Sequence, residues 1–233
     1  MREKKAKSII ENLKKTYDDI AGDFSNTRSK DTDLQIFSDL IKPKATILDI
    51  GCGNGRLLLM LNKLAEHWTN PKFHYLGIDI SKSLLNHARK KFPTENFIEG
   101  TQTEIPFDES KADILFNIRA FHHIPSKKMR LIALEEMKRV LKPHGTIVIT
   151  VWDLWQRKYI VQILKAVLRS IITLGAYEYN DTFIPWGKNN KRYYHAFRPK
   201  ELYDILKQAG FTQVKIMDPK LCKSKDIVIT AKK

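Results

Sequence analysis

Three glycines with a single residue between each pair follow a short run of mostly apolar residues. Gly51, Gly53 and Gly55 come directly after Thr46–Ile50, whose β-branched side chains predict a strand. Glycine adopts positive φ and allows a ligand to approach the backbone closely. The spacing is not that of a phosphate-binding GxGxxG turn, because the required glycine is replaced by Arg56. We therefore expect a ligand-binding turn at the carboxyl end of a strand.

Asp79 ends the next predicted strand, Phe73–Asp79. A carboxylate at this position can accept two hydrogen bonds from the hydroxyl groups of a ribose. The alternative is an ordinary strand-end aspartate beside the amino terminus of a helix. The order of strand, glycine turn, helix, strand and acid favours a nucleoside ligand that carries no pyrophosphate.

Strands and helices alternate through the middle of the chain. Ser81 and Ser126 are predicted to cap two of the helices. The alternation predicts an α/β fold with a mostly parallel sheet and helices on both faces. The predicted strands are residues 46–50, 73–79, 96–98, 112–118 and 146–151, and the helices between them are 57–64, 81–91 and 126–141.

The two ends of the chain depart from this alternation. Two strands without a helix between them predict an antiparallel hairpin at the sheet edge, whereas residues 178–197 have no clear period. The predicted end elements are helices at 7–20, 33–41, 159–174 and 199–209 and strands at 211–217 and 226–231. We expect one domain, in which residues 1–44 form helices that cover the active site and residues 45–233 form the core, with a helix and substrate insertion at 155–198.

The net charge of +15 on 233 residues is concentrated at the two ends. Residues 1–15 carry six basic and two acidic side chains, residues 188–233 carry twelve and four, and residues 45–120 carry nine of each. Clustered cations favour a polyanion such as nucleic acid or an anionic membrane surface. A generally lysine-rich, soluble surface is the alternative.

The composition also limits the cellular setting. Cys52 and Cys222 are the two cysteines, too few for a disulfide framework or a cysteine-rich zinc site. Met1–Lys5 lacks the apolar core of a signal peptide, and no apolar run is long enough to cross a membrane. We expect a cytoplasmic protein without stable membrane insertion and without a metal.

The segment Ile47–Gly55 resembles the first motif of class I S-adenosylmethionine-dependent methyltransferases, and the similarity continues to about residue 151. The resemblance implies a doubly wound seven-stranded sheet with strand order 3-2-1-4-5-7-6 and an antiparallel last strand. It also implies S-adenosylmethionine as the cofactor. The implied cofactor-binding residues are Arg28, Asp49, Gly51, Gly53, Gly55, Asp79, Ile80, Thr101, Gln102 and Asn117.

Several of these residues have specific implied roles. Asp79 holds the ribose hydroxyls, the backbone near Ile80 flanks the adenine, and Asn117 borders the methionine moiety and the transferred methyl. Thr101 stands where the family usually has an aspartate that contacts the adenine amine. Thr101 or Gln102 could accept that contact instead.

The segments flanking this core are similar to methyltransferases that esterify carboxymethyluridine at the tRNA wobble position. The similar segments are Ile20–Arg28, Ile118–His123, Asp181–Trp186 and Arg192–Arg198. The resemblance implies a tRNA substrate and a small zinc-binding activator as a partner. An unusually basic carboxyl-terminal part and Arg119, where a small residue is expected, depart from that pattern.

Such esterification needs little acid–base catalysis, because a carboxyl group of pKa near 4 is already ionised at pH 7. The protein would mainly align the reactants and remove water. The candidates for holding the carboxylate are Arg28, Arg119, His122, His195 and Arg198.

Each candidate has a structural alternative. His122 could simply pack after the fourth strand, Arg119 could form a surface ion pair, and Arg28 could bind the methionine carboxylate instead. The aromatic residues Tyr193 and Tyr194 could belong to the core or stack on an exposed base.

Two other functions fit the sequence. The first is a methyltransferase acting on a small molecule such as a quinone precursor, with residues 159–174 on a membrane surface. The second is a non-catalytic RNA-binding or partner-activating protein that retains the cofactor fold.

Overall fold

The computed structural model describes residues 1–27, 34–67, 73–187, 190–218 and 225–233. Seven strands form one sheet in the order β3-β2-β1-β4-β5-β9-β8, and β6 and β7 form a separate antiparallel hairpin. The strands are β1 (Thr46–Ile50), β2 (His74–Asp79), β3 (Asn96–Glu99), β4 (Ala112–Ile118), β5 (Leu141–Trp152), β6 (Asp181–Trp186), β7 (Asn190–His195), β8 (Thr212–Ile216) and β9 (Asp226–Lys232).

The sheet confirms the expected strand order once the hairpin is set aside. β1 to β5 pair in parallel, and β9 is antiparallel to both β5 and β8. Ile47, Leu48 and Ile50 of β1 are fully buried, as expected for a central strand that is covered on both faces.

Helices cover both faces of this sheet. α5 and α7 pack on one face, while α3 and α4 pack on the other. Ser81 and Ser126 cap α4 and α5, each with its hydroxyl oxygen accepting a backbone N–H bond, as predicted. The helices are α1 (Glu3–Asp19), α2 (Ala21–Thr27), α3 (Arg56–Ala65), α4 (Lys82–Lys91), α5 (Lys127–Val140), α6 (Ile160–Ile172) and α7 (Pro199–Gln208).

Three segments differ from the sequence-based expectations. α2 was not predicted as a helix, and the helix expected at 33–41 is a 3₁₀ helix at Gln35–Leu40. Residues 178–197, for which the sequence showed no clear period, contain the paired strands β6 and β7. Their strand pattern was hidden because Asp181, Thr182 and His195 are polar but buried.

Among the described residues, no helix is long and apolar enough to cross a membrane. One face of α6 is nevertheless apolar and exposed to solvent, with Ile172 70% and Leu164 63% accessible. Since isolated exposed apolar side chains are ordinary but a continuous face is not, α6 is a candidate contact surface.

Candidate functional site

One large pocket lies at the carboxyl ends of β1, β2, β4 and β5, and α1 and β7 contribute its other walls. We divide it into two parts. The glycine-turn half is formed by Asp49, Ile50, Gly51, Cys52, Gly53, Asn54, Asp79, Ile80, Thr101 and Gln102. The aromatic half is formed by Tyr17, Arg119, His122, His123, Trp152, Arg192 and Tyr194.

The glycine turn is attached to the end of β2 by its backbone. The N–H groups of Gly51 and Cys52 donate to the carbonyl oxygen of Ile78 at 2.7 and 2.9 Å. Gly51 has φ of +78°, and a Cβ at this position would lie 2.2 Å from the Cβ of Ala120. Glycine is therefore required at position 51 both for its conformation and for the close approach of the β4–α5 connection.

Asp79 lies at the centre of the glycine-turn half. Its carboxylate accepts N–H bonds from Gly53 and Ser81, each at 2.8 Å and each on a different oxygen. Burial raises the pKa of Asp79 to about 6, and these backbone hydrogen bonds act in the opposite direction. Because each carboxylate oxygen has a second lone pair, Asp79 can still accept two hydroxyl groups.

The neighbouring carboxyl group, Asp49, is also buried. The Tyr75 hydroxyl donates to its Oδ2 at 2.8 Å, while burial raises the pKa of Asp49 to about 7. Gly55 does not line the pocket. It precedes α3 with φ of +76°, and a Cβ there would press on Phe92 and Phe97.

Asn117 and Gln102 form an amide pair beside the pocket, in which Asn117 is fully buried and does not line the pocket, whereas Gln102 is half-buried and does. The Asn117 Nδ2 group donates to Gln102 Oε1 at 2.6 Å, and Gln102 Nε2 donates to the carbonyl of Ala120 at 2.9 Å. Asn117 Oδ1 is buried and has no hydrogen-bond partner among the described residues. Thr101 Oγ1 lies 3.3 Å from Thr103 Oγ1.

The aromatic half contains two adjacent neutral histidines. His123 Nδ1 contacts the Tyr193 carbonyl oxygen at 2.6 Å, so this nitrogen carries the proton, and Nε2 accepts from the Tyr17 hydroxyl at 2.7 Å. Burial lowers the pKa of His123 to about 3. His122 accepts the Trp152 backbone N–H through Nδ1 at 3.1 Å, and burial holds its pKa well below 6.5. Both rings are therefore neutral at pH 7.

Two arginines with different surroundings reach this half. Arg119 lines the pocket and has φ of +57°. Its Nε also donates to Asp226 Oδ2 at 2.7 Å, so Arg119 forms an ion pair as well. Arg192 is buried among aromatic rings. Sequence analysis did not select Arg192 as a site residue, although the two-residue strand period of β7 places Arg192 and Tyr194 on one face.

The remaining predicted residues lie elsewhere. His195 is fully buried, with Nδ1 3.0 Å from Asp181 and Nε2 2.7 Å from Glu201, and it does not line the pocket. Arg198 is exposed, and its guanidinium stacks on Trp155 at 3.8 Å from the ring centre. The pocket therefore does not bring His195 and Arg198 together with His122 and Arg119. Arg28 lies outside the described residues.

Comparison with known proteins defines the class of this chain. Residues 47–145 match the methyltransferase domain family. A SAM-dependent methyltransferase from Methanosarcina mazei superposes with a TM-score of 0.67 at 22% identity, covering 85% of this chain and 96% of that one. Human N-acetylserotonin methyltransferase in complex with SAM superposes with a TM-score of 0.53 at 21% identity. The match covers 81% of this chain and 47% of the human chain. Residues 47–145 of this chain therefore match a methyltransferase domain, and the chain shares the fold of these S-adenosylmethionine-dependent methyltransferases.

The glycine-turn half fits S-adenosylmethionine. Asp79 has two lone pairs left for ribose hydroxyls, and Gly51 and Gly53 leave the turn without side chains. The cofactor prediction is thus supported by the fold, the domain match and the available polar atoms.

Curated relatives point to a narrower group. The tRNA (carboxymethyluridine(34)-5-O)-methyltransferase of Schizosaccharomyces pombe is 27% identical over 86% of this chain and 88% of its own length. The enzyme of that name from Arabidopsis thaliana is 33% identical over 59% of this chain. This chain spans only 32% of the Arabidopsis protein. A chain from the complex between the Haloferax volcanii Trm112 methyltransferase activator and a methyltransferase superposes with a TM-score of 0.62 at 16% identity, covering 93% of this chain and 96% of that one.

Proposed function

We propose that this chain transfers a methyl group from S-adenosylmethionine to the carboxylate of a carboxymethyl-type uridine at the tRNA wobble position. The names of the relatives motivate the substrate. The observation that carries the chemistry is the acid–base character of the aromatic half. Among the described residues lining it, none is a carboxylate, and the two histidines are neutral and hydrogen-bonded.

An acceptor in this half has to arrive already ionised. His123 uses Nε2 to accept the Tyr17 hydroxyl, and His122 uses Nδ1 to accept a backbone N–H, so neither nitrogen is available as a base. Burial also raises the pKa of Tyr17, which keeps its hydroxyl protonated. A carboxyl group meets this requirement at pH 7, whereas a phenol with a pKa near 10 would need a base.

The residues of the pocket then have separate tasks. Bound S-adenosylmethionine supplies a methyl group on a positively charged sulfur, and methyl transfer to a carboxylate gives an ester and a neutral thioether. Asp79 and the Gly51–Gly53 turn hold the nucleoside part. Trp152, Tyr194 and Ile118 exclude water from the acceptor, which strengthens electrostatic contacts in the pocket.

One element from each basic end of the chain reaches this pocket. α1, which contains much of the amino-terminal charge, contributes Leu13 and Tyr17 to the wall, and β7 contributes Arg192 and Tyr194. Cations arranged around a pocket mouth favour the phosphates of an RNA stem. In this proposal residues 1–44 cover the active site and residues 155–198 contact the acceptor, within a cytoplasmic enzyme.

Methyl incorporation tests the proposal directly. Radiolabelled cofactor is incubated with the protein and either total tRNA that carries carboxymethylated wobble uridines or the same tRNA digested with ribonuclease. We expect label in intact tRNA, located at the wobble nucleotide by nuclease mapping, and its release as methanol by mild alkali because esters hydrolyse. The Asp79→Ala variant is the control for cofactor dependence. Label that resists alkali, or lies at another position, contradicts the proposal.

A small zinc-binding activator is part of the same proposal. Its support is the fold shared with the Haloferax volcanii chain in complex with the Trm112 activator. The incorporation assay is run with this chain alone and after co-expression with such an activator. Stable co-purification with raised activity is expected, and equal activity without any complex contradicts this part.

A second candidate function is methylation of a small apolar molecule at a lipid surface. The favouring observation is the exposed face of α6, a helix with no acidic residue. Its exposed apolar side chains are Ile160, Val161, Leu164, Leu168, Ile171 and Ile172. Sedimentation with anionic vesicles tests this second candidate function. The comparison variant carries both Leu168→Gln and Ile172→Gln, which make the exposed face of α6 more polar. Vesicle binding that this variant loses, together with methylation of a quinone precursor and none of tRNA, would favour the second candidate.

A further inference from the structure

Arg192 is a buried cation surrounded by aromatic rings. Arg192 is only 2% exposed to solvent. The guanidinium carbon lies 4.4 Å from the ring centre of Trp186, 5.3 Å from Tyr194, 5.4 Å from Trp152 and 5.9 Å from Tyr17. Aromatic faces attract a guanidinium, but they do not satisfy its five N–H groups.

The hydrogen bonds of Arg192 are few compared with those of the other buried arginine. Arg130 donates to the Glu178 carboxylate at 2.5 Å and to the Ile124 carbonyl at 3.2 Å, and its Nε atom, like that of Arg192, has no partner among the described residues. Arg192 makes one long hydrogen bond, from Nη1 to the Tyr17 hydroxyl at 3.4 Å. Its Nε atom is buried without a partner, and no carboxylate pairs with it in the described part of the chain. A buried charge without a counter-ion is expensive, so a ligand is the natural source of that counter-ion.

We infer that Arg192 binds the carboxylate of the methyl acceptor, and this inference rests on the proposed function. A guanidinium matches a carboxylate in shape and can donate two parallel hydrogen bonds to it. Because arginine stays protonated at any ordinary pH, it holds the carboxylate without giving it a proton. The aromatic rings that surround Arg192 also provide flat surfaces beside which a uracil ring can stack.

The position of Arg192 favours the acceptor over the methionine carboxylate of the cofactor. Arg192 lies on β7 and contacts Trp152, the last residue of β5. The nucleoside-binding groups Gly53 and Asp79 lie instead at the ends of β1 and β2, which are on the other side of β4 in the sheet. The aromatic half is therefore the part of the pocket that remains for an acceptor.

The test compares two ligands that differ only in charge. Anticodon stem-loops with carboxymethyluridine or with its uncharged carbamoylmethyl analogue are bound to wild-type protein, to Arg192→Gln and to Arg192→Lys. Arg157→Gln, which removes an exposed arginine outside the pocket, is the matched control. Wild type and Arg157→Gln should prefer the carboxylate by roughly ten- to a hundredfold, as expected for hydrogen bonds to a charged group.

In Arg192→Gln this preference should disappear while cofactor affinity changes by less than about threefold, the spread expected for a residue that does not touch the cofactor. Arg192→Lys should retain part of the preference, because it keeps the charge but loses the paired donors. An undiminished preference in Arg192→Gln overturns the inference, and so does a loss of cofactor affinity as large as that of Asp79→Ala, which would assign Arg192 to the methionine carboxylate.

Two further outcomes of this experiment can be interpreted without the Arg192→Gln variant. If Arg192→Gln does not fold, wild-type protein without a preference for the carboxylate overturns the inference by itself. If wild-type protein prefers the carboxylate but incorporates no methyl into tRNA, the proposed function fails while the carboxylate subsite stands.

Discussion

The two halves of the pocket are built in different ways. The glycine-turn half is formed by three short segments at the ends of β1, β2 and β3, and its turn is held by backbone hydrogen bonds and by the Asp79 carboxylate. The aromatic half is formed by side chains that come from α1, from the ends of β4 and β5, and from β7. The hydrogen bond between Arg192 and Tyr17 joins residues that are 175 positions apart. The glycine-turn half can therefore be recognised from short stretches of sequence. The aromatic half cannot, because its side chains come together only in the folded chain.

The halves also differ in charge. Asp49 and Asp79 are buried carboxyl groups whose pKa values are raised, to about 7 and about 6. The aromatic half holds Arg119 and Arg192 and two histidines whose pKa values burial lowers. Acidic side chains thus line one half of the pocket and Arg119 and Arg192 line the other, which suits a cationic methyl donor on one side and an anionic acceptor on the other.

The largest effect is expected from filling the glycine turn. Gly51→Ala introduces a Cβ 2.2 Å from that of Ala120 at φ of +78°, which we expect to lower the free energy of unfolding by about 3 kcal/mol and to abolish measurable cofactor binding. Gly175→Ala is the matched control, because Gly175 also has φ of +78° but open space around it. It should lose only about 1 kcal/mol. Thermal unfolding and calorimetry measure both, and equal losses would refute the steric explanation.

Removing the carboxylate of the same half should have the next largest effect. Asp79→Ala deletes the acceptor for Gly53 and Ser81 and, in our assignment, for the ribose. Loss of hydrogen bonds to a charged group corresponds to about 1.5–3 kcal/mol, so cofactor affinity should fall at least about tenfold. The cofactor affinity of Asp79→Asn, which keeps one acceptor oxygen, should fall less. Calorimetry on folded variants measures this, and unchanged affinity in Asp79→Ala would remove Asp79 from the cofactor site.

The sequence predicted the glycine-turn half of the pocket better than the aromatic half. The alternating strands and helices, the glycine turn and the position of Asp79 were predicted because they are local signals, whereas the complete strand order was implied by the resemblance to a family. The role of Arg192 was missed, because its burial depends on Tyr17 and Trp152 from distant elements. His195 was selected because it lies in a segment that resembles the wobble-uridine enzymes, and its burial between Asp181 and Glu201 was not predicted because these residues are distant from it in sequence.

A smaller effect concerns the pH dependence of stability. The pKa of Asp49 is about 7 in the folded chain, above its unfolded value, so the folded state favours the protonated carboxyl. The stabilisation is complete below about pH 4 and is lost as the pH rises through about 7. Asp49→Asn cannot ionise, so its free energy of unfolding should fall by about 1.4 kcal/mol less than that of wild type between about pH 6 and 8. Denaturant unfolding at several pH values measures this, and parallel curves for the two proteins would contradict the raised pKa.

The smallest effect is expected for Arg198, which the sequence placed among the catalytic candidates. Its guanidinium stacks on Trp155 at the surface, an arrangement that contributes about 0.5–1 kcal/mol when exposed. Arg198→Ala should therefore change the free energy of unfolding by no more than that and leave cofactor affinity and kcat within about twofold of wild type. A higher KM for tRNA with unchanged kcat would indicate a phosphate contact, because such contacts add binding without acting on the methyl transfer. Lys200→Ala, an exposed change two residues away, controls for the loss of surface charge. A tenfold fall in kcat in Arg198→Ala alone, with cofactor affinity intact, would restore Arg198 to the catalytic site and extend the aromatic half beyond the pocket.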